Sequence, residues 1–393
     1  MDFRFSARTG WDVGESGFAR AIREARASGR RLFDLTVSNP TVCGFEYDLE
    51  RILGALGDRR AMTYDPDPRG MTSAREAVAG YYAGRRDHGA EVDPDSVVMT
   101  TSTSEGYGYL FRLLCDAGDE VLVAQPSYPL FDFLADLEDV RLRPYPLFYD
   151  YGWWIDFAEL ERRIGPRTKA IVVVHPNNPT GHATQAGERA RLQEICARHG
   201  LALIVDEVFL DYPIAAAEEL RSFAVGPHPV LTFVLSGMSK ISGLPQMKVG
   251  WIVGLGPEAV RREAMGRLEV IADTFLSMNA PVQLALPVWL EGRDGIQRQI
   301  RERVRENYLV AMESGVEVLR VEAGWSAVLR LPQIGAEDKV ADRLLWELDV
   351  VVHPGSFYGI AETGRVVVSL IGLVDEFSLG MKRIQRGDMV EPK

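Results

Sequence analysis

The chain is poor in cysteine, short of positive charge and without any long apolar run. Each shortage excludes a class of protein. The three cysteines among 393 residues, Cys43, Cys115 and Cys196, are odd in number and far apart. They make neither a disulfide framework nor a zinc pattern, so no metal is expected and a reducing cytoplasm is the expected home. Lys and Arg number 44 against 56 Asp and Glu, a net charge of −12. That balance repels nucleic acid and anionic membrane, although local basic patches can still take phosphate. No stretch nears the roughly 20 apolar residues of a membrane span, and the N-terminus has charges and glycines where a signal peptide needs an apolar run. No Gly-x-Gly-x-x-Gly follows an early strand, which argues against a dinucleotide-binding oxidoreductase.

What is present is core material. Apolar residues make up 46% of the chain, and the length suits two or three domains. Apolar spacing predicts a helix over Gly17–Ser28, and Ser73 with Glu76 predicts a capping box opening a helix to Ala83. From residue 96 the texture changes to short, continuous apolar runs: 97–101, 120–124, 170–174, 202–205, 231–235 and 249–253. Such runs suit strands covered on both faces, and helical stretches between them, such as 186–198, imply a mainly parallel α/β sheet. After about 290 comes a long charged helix, 293–314. Short strands near 324–331 and 365–370, with a helix between and another after, predict a smaller α+β domain. The N-terminal segment cannot build a core alone and is expected to pack across both domains.

In open α/β sheets ligands bind at the carboxyl ends of the strands. The first run is followed by Ser102, Thr103 and Ser104 ahead of a helix, an anion cradle. The second is followed by Tyr128 in a Pro-rich turn, a ring able to stack on a flat ligand. The third leads to Asn177 and Asn178, whose amides can hydrogen-bond a ligand. The fourth ends at Asp206, costly to bury without a cationic partner. The fifth leads through Ser236, Gly237 and Ser239 to Lys240, a candidate Schiff-base amine. A lone lysine or a capped Ser/Thr cluster is usually structural. The five together supply what pyridoxal 5′-phosphate (PLP) requires: phosphate site, ring face, oxygen partner, nitrogen partner and lysine.

The motifs Asn177-Asn178-Pro179-Thr180-Gly181, Asp206-Glu207, Ser239-Lys240 and Gly250-Trp251 stand in the order and spacing of a known family. The chain resembles fold-type-I PLP-dependent aminotransferases of class I/II over nearly its whole length. The resemblance implies an N-terminal segment (1–45), a large PLP-binding domain (46–285) and a small C-terminal domain (286–393). It implies an enzyme moving an amino group from an L-amino acid to a 2-oxo acid. Lys240 would form the Schiff base and shuttle the proton, Asp206 would pair with the pyridinium nitrogen, Asn178 would bond the ring oxygen and Tyr128 would stack. Thr103, Ser104 and Ser239 would hold phosphate, with Ser102 and Ser236 as further candidates. Tyr64, in a segment running to Gly70 and followed by Arg75, would reach the phosphate of a neighbouring subunit in a homodimer. Arg365 would clamp the substrate carboxylate, and Ser38, Asn39, Asn178 and Trp11 would approach the substrate.

Three positions depart from the family pattern. Phe209 stands where a Tyr commonly donates to the ring oxygen, Lys248 where an Arg grips phosphate, and Gly237 where a hydroxyl often binds phosphate. The same residues also serve β-elimination, racemisation, decarboxylation or oxidation. A non-catalytic PLP-binding regulator is the remaining alternative, disfavoured by the acidic charge and the short chain ahead of the motifs.

Overall fold

The computed structural model describes residues 4–85, 89–214, 220–276, 278–332 and 337–388. The short β1 (Phe33–Asp34) comes first, followed by the eight strands of the main sheet. These are β2 (Val97–Thr100), β3 (Glu120–Gln125), β4 (Arg141–Tyr149), β5 (Trp153–Ile155), β6 (Thr168–Val174), β7 (Ala202–Asp206), β8 (Thr232–Gly237) and β9 (Gly250–Leu255). Their order is β2-β9-β8-β7-β6-β3-β4-β5. Neighbours from β8 to β4 pair in parallel, whereas β9 runs against both β2 and β8, and β5 against β4. Six strands therefore point one way, and their carboxyl ends share one edge.

The apolar runs become buried strands because both faces of the sheet are covered. Ile171, Leu203, Val234 and Val253 pack on one side, and Val172, Ile204, Phe233 and Ile252 on the other. β4 and β5 were not anticipated. β4 alternates exposed and buried residues and carries Pro144 and Pro146, so it lacks the continuous apolar texture that marks the others. The helix at Gly17–Ala27 is as expected. The next starts one residue early, at Thr72, with Met71 at its N-cap and no side-chain cap bond. Ser73 lies inside it, so the expected capping box is absent; Gln283 Oε1 instead accepts from Met71 N–H at 2.6 Å.

The remaining strands are β10 (Glu317–Val318), β11 (Ser326–Arg330), β12 (Val350–Val351), β13 (His353–Pro354) and β14 (Arg365–Ser369). Four of them form an antiparallel sheet ordered β10-β11-β14-β13. β12 pairs in parallel with β1, matching Phe33 to Val350. The helices Arg293–Glu313, Glu337–Leu348 and Val374–Asp388 complete this smaller unit. The N-terminal segment touches both units: Trp11 Nε1 donates to Asp136 at 2.8 Å, while Arg31 pairs with Glu376 at 2.7 Å. Among the described residues no helix is long and apolar enough to cross a membrane.

Candidate active site

A cavity of about 510 Å³ opens where the carboxyl ends of the parallel strands face the small sheet. Ser102, Thr103, Ser104, Tyr128, Asn178, Asp206, Ser239, Lys240, Lys248 and Ser38 all line it. Residues up to 210 positions apart in sequence meet here, most of them at or just beyond a strand that ends at this edge.

At one end lies the N-terminus of the helix Thr103–Leu114. Ser102 Oγ caps it, accepting from Glu105 N–H at 3.1 Å, and Glu105 Oε2 accepts from Thr101 N–H at 2.6 Å. The Ser102 hydroxyl can still donate its own proton. The opening N–H groups of a helix have no partner within it and favour an anion. Gly250 presses β9 against this turn: a Cβ there would lie 2.9 Å from the Ser102 carbonyl carbon and 3.0 Å from Thr103 N. Gly237 has a similar explanation, since a Cβ would meet the Val249 carbonyl oxygen at 2.6 Å. A hydroxyl-bearing side chain at 237 would force β8 and β9 apart.

Asp206 ends β7 in full burial. Its Oδ1 accepts from Val208 N–H at 3.1 Å and its Oδ2 from the Tyr107 hydroxyl at 3.2 Å. Burial pushes this carboxyl up to about 6, against the pull of those bonds and of Lys240. A cation beside it would favour the ionised form. Burial also lowers Lys240 below the usual amine range, with Asp206 opposing. The Lys240 Nζ sits 5.4 Å from the Trp325 ring and 5.8 Å from that of Phe209. Tyr212 donates its hydroxyl to the Lys240 carbonyl and steadies the turn.

The two asparagines divide their work. Asn177 is buried and structural, its Oδ1 accepting from Thr180 Oγ1 at 2.8 Å and its Nδ2 donating to Pro126 O at 3.3 Å. Asn178 lines the cavity; its Oδ1 accepts from Ser326 Oγ at 3.4 Å, leaving the amide nitrogen as a donor. Gly181 at φ +69 closes this turn against the small unit, where a Cβ would fall 2.8 Å from Ala323 O. Beside it, His182 lies 3.0 Å from Glu188 and 3.6 Å from Glu322. Burial alone would lower His182, but the two carboxylates hold it up at about 9. His175 is the opposite case, driven down to about 3 by burial, with Nδ1 accepting from Thr184 N–H.

Five expected positions do not line this chain's cavity, and one of them, Tyr64, was expected to serve a neighbouring subunit. Arg365 is outside the cavity wall: it heads β14, opposite Arg330 in register, and its Nη1 donates to Thr363 O at 3.5 Å. Val367, Val368 and Ser369 form the wall instead, and two residues of strand, about 6.6 Å, separate Arg365 from Val367. Asn39 spends its side chain on Thr41, whose N–H and hydroxyl both donate to Oδ1. Ser236 is buried within β8, not on the cavity wall. Tyr64 is 80% exposed on its loop, away from this chain's cavity. That loop is braced by Arg75, whose guanidinium bonds Gly70 O, Asp67 and Asp95. Trp11, also expected near the substrate, packs instead on the helix Leu130–Leu137 through Phe133 and Asp136.

Sequence reasoning missed Tyr107 and most of the small-unit wall. Tyr107 lies in the first turns of its helix among other aromatic and small residues, with nothing local to mark it. Trp325, Ser326 and His353 reach the cavity only through the small sheet.

A sequence model described as aminotransferase class I and II matches residues 32–371. The chain belongs to this family. It is 26% identical over 384 residues to the glutamate-pyruvate aminotransferase AlaA of Escherichia coli K12, covering 93% of each protein. It is 30% identical over 274 residues to the alanine aminotransferase of Mycobacterium tuberculosis H37Rv, covering 69% of this chain and 63% of that one. In fold it matches an alanine aminotransferase from Pyrococcus furiosus at a TM-score of 0.86 and 22% identity, over 98% and 99% of the two chains. As a member of the aminotransferase family it is an enzyme of a PLP-dependent group. The donor set fits that coenzyme: an anion cradle with Lys248, a buried carboxylate for a cationic ring nitrogen, an amide for an oxygen, and a recessed amine.

Proposed function

We propose that this aminotransferase uses PLP to move an amino group from an amino acid to a 2-oxo acid, as a homodimer. The observation that carries the reading is that buried Asp206 and half-buried Lys240 line one cavity, with the hydroxyl and N–H cradle at its end. When bound, PLP supplies an aldehyde that condenses with amines and a ring that accepts negative charge from the substrate carbon.

The chain's own residues supply the rest. Ser102, Thr103, Ser104, Ser239 and Lys248, which line the cavity, would hold the phosphate. Lys248 gives an ammonium, a point charge without the planar fork of arginine. Ionised Asp206 holds the proton on the ring nitrogen, and Tyr107 and Val208 N–H fix its orientation. Asn178 donates to the ring oxygen and Tyr128 covers a ring face. Burial lowers the Lys240 pKa and so favours the neutral amine, the form that can take a proton from the substrate carbon. The exposed Tyr64 suits a contact with a second copy's phosphate site.

The test is borohydride reduction of the protein after incubation with PLP, followed by peptide mass analysis, which should place one adduct on Lys240. Incubation with an amino acid and pyruvate or 2-oxoglutarate should then give the paired products. Ammonia, pyruvate or peroxide released without an acceptor would assign the site to elimination or oxidation instead.

A further inference from the structure

Fixed positive charge is scarce on the small-unit side of the cavity. Among the described residues lining it, the side chains able to carry positive charge are Lys240, Lys248 and His353. Lys240 is the recessed amine. Lys248 lines the cavity next to Val249, whose carbonyl accepts from Met238 N–H, and the proposed function assigns its ammonium to the phosphate. His353 packs against Phe357 with its Nδ1 3.0 Å from the Tyr358 hydroxyl. Burial holds it below the usual histidine range, opposed by Asp34, and it is neutral near pH 7.

The rest of that wall is a mix of apolar and hydroxyl side chains, with Trp325, Phe357, Val367 and Val368 beside Ser326, Tyr358 and Ser369, and Thr36 and Ser38 from the N-terminal segment. A free carboxylate brought against it sheds water, and only a fixed cation or several donors restore what is lost. A guanidinium does so with two parallel bonds. Hydroxyls alone serve a carboxamide or ester carbonyl equally well. The nearest guanidinium on β14 belongs to Arg365, two residues along the strand and outside the cavity.

We propose that Val367 sets the substrate class: the site places no premium on a free carboxylate, and takes carboxamides and esters of amino acids at least as well as the parent acids. The inference rests on the aminotransferase reading and narrows its donor. The rings of Phe209, Trp325 and Phe357 make an aromatic side chain the natural companion.

Calorimetry on the PLP-loaded protein in its native assembly, with 3-phenylpropionate and 3-phenylpropanamide, tests it without any turnover. The expected result is an acid that binds no tighter than the amide. Acid binding more than tenfold tighter overturns the proposal, whichever copy supplies the cation. Val367→Arg should raise the affinity for the acid at least tenfold relative to that for the amide. Since Val367 is 1% exposed, circular dichroism checks that the variant folds, and the wild-type ratio decides the question if it does not. A folded Val367→Arg that gains nothing for the acid also overturns the role of this position. Failure of the underlying reading has a separate signature: neither L-phenylalanine nor its amide bleaches the bound coenzyme, whatever the binding ratio.

Discussion

The two walls of the cavity are built on different principles. The polar groups of the large-unit wall sit mostly at or just beyond the ends of buried strands, among apolar residues such as Phe131 and Phe209, so their placement is fixed by the sheet. The small-unit wall comes from the faces of β14 and β13 and the Trp325–Ser326 entry to β11, and its character is apolar with scattered hydroxyls. One side carries the cradle, Asp206 and Lys240, which the proposed function assigns to a charged coenzyme. The other offers few groups that could meet a charge. A site so divided keeps its chemistry constant while its selectivity drifts with a few residues of the smaller sheet.

Substitutions should separate the two walls sharply. Lys240→Ala should remove the reducible adduct and lower turnover by more than about 10³-fold, the upper part of the range for a positioned acid–base group. Retention of the adduct at the same stoichiometry would refute its role. Asp206→Asn should cost about 10²-fold in turnover, because the ring nitrogen loses the charge that keeps it protonated. Steady-state kinetics with unchanged folding would show this, and near wild-type turnover would mean the buried carboxylate is structural.

The join between the walls is tested by pH. His182 is held up at about 9 from an ordinary 6.5, so its contribution to stability is complete below about 6.5 and is lost as pH rises through 9. At 1.36 kcal/mol per unit that contribution is about 3 kcal/mol. Urea denaturation at pH 6.5 and 10 should show a drop of that order, and His182→Gln should flatten it. An equal drop in the variant would place the effect elsewhere. The smallest expected change is in Phe209→Tyr, which adds a donor near the ring oxygen and should lower the midpoint of the visible-absorbance titration by about one unit. An unchanged or raised midpoint would defeat it.

The contrast also explains what the sequence made legible. The strand-end residues could be read because a polar cluster interrupting an apolar run is a local signal, and five of them fall in a set order. Phe209 and Gly237 were visible as departures, and the backbone approach of Val249 now accounts for Gly237. That Arg365 heads β14 and Val367 lines the cavity could not be read from the sequence, because position along the strand depends on its register against Arg330. Which asparagine faces the cavity, and that Tyr107 meets Asp206, depend on contacts across 51 and 99 residues, which no local pattern records. The ion cluster of His182, Glu188 and Glu322 was invisible for the same reason.

The pairing of β1 with β12 bears on how this chain can be cut. Phe33 N–H donates to Asp349 O at 2.8 Å, Leu35 N–H to Val351 O at 2.9 Å, and Ser369 N–H to Leu35 O at 2.7 Å. The C-terminal third made as a separate fragment would thus present unpaired backbone at β12 and at Ser369, open to association between fragments. Only a fragment that carries its amino-terminal strand along, by co-expression or by a circular permutation, would have that border closed.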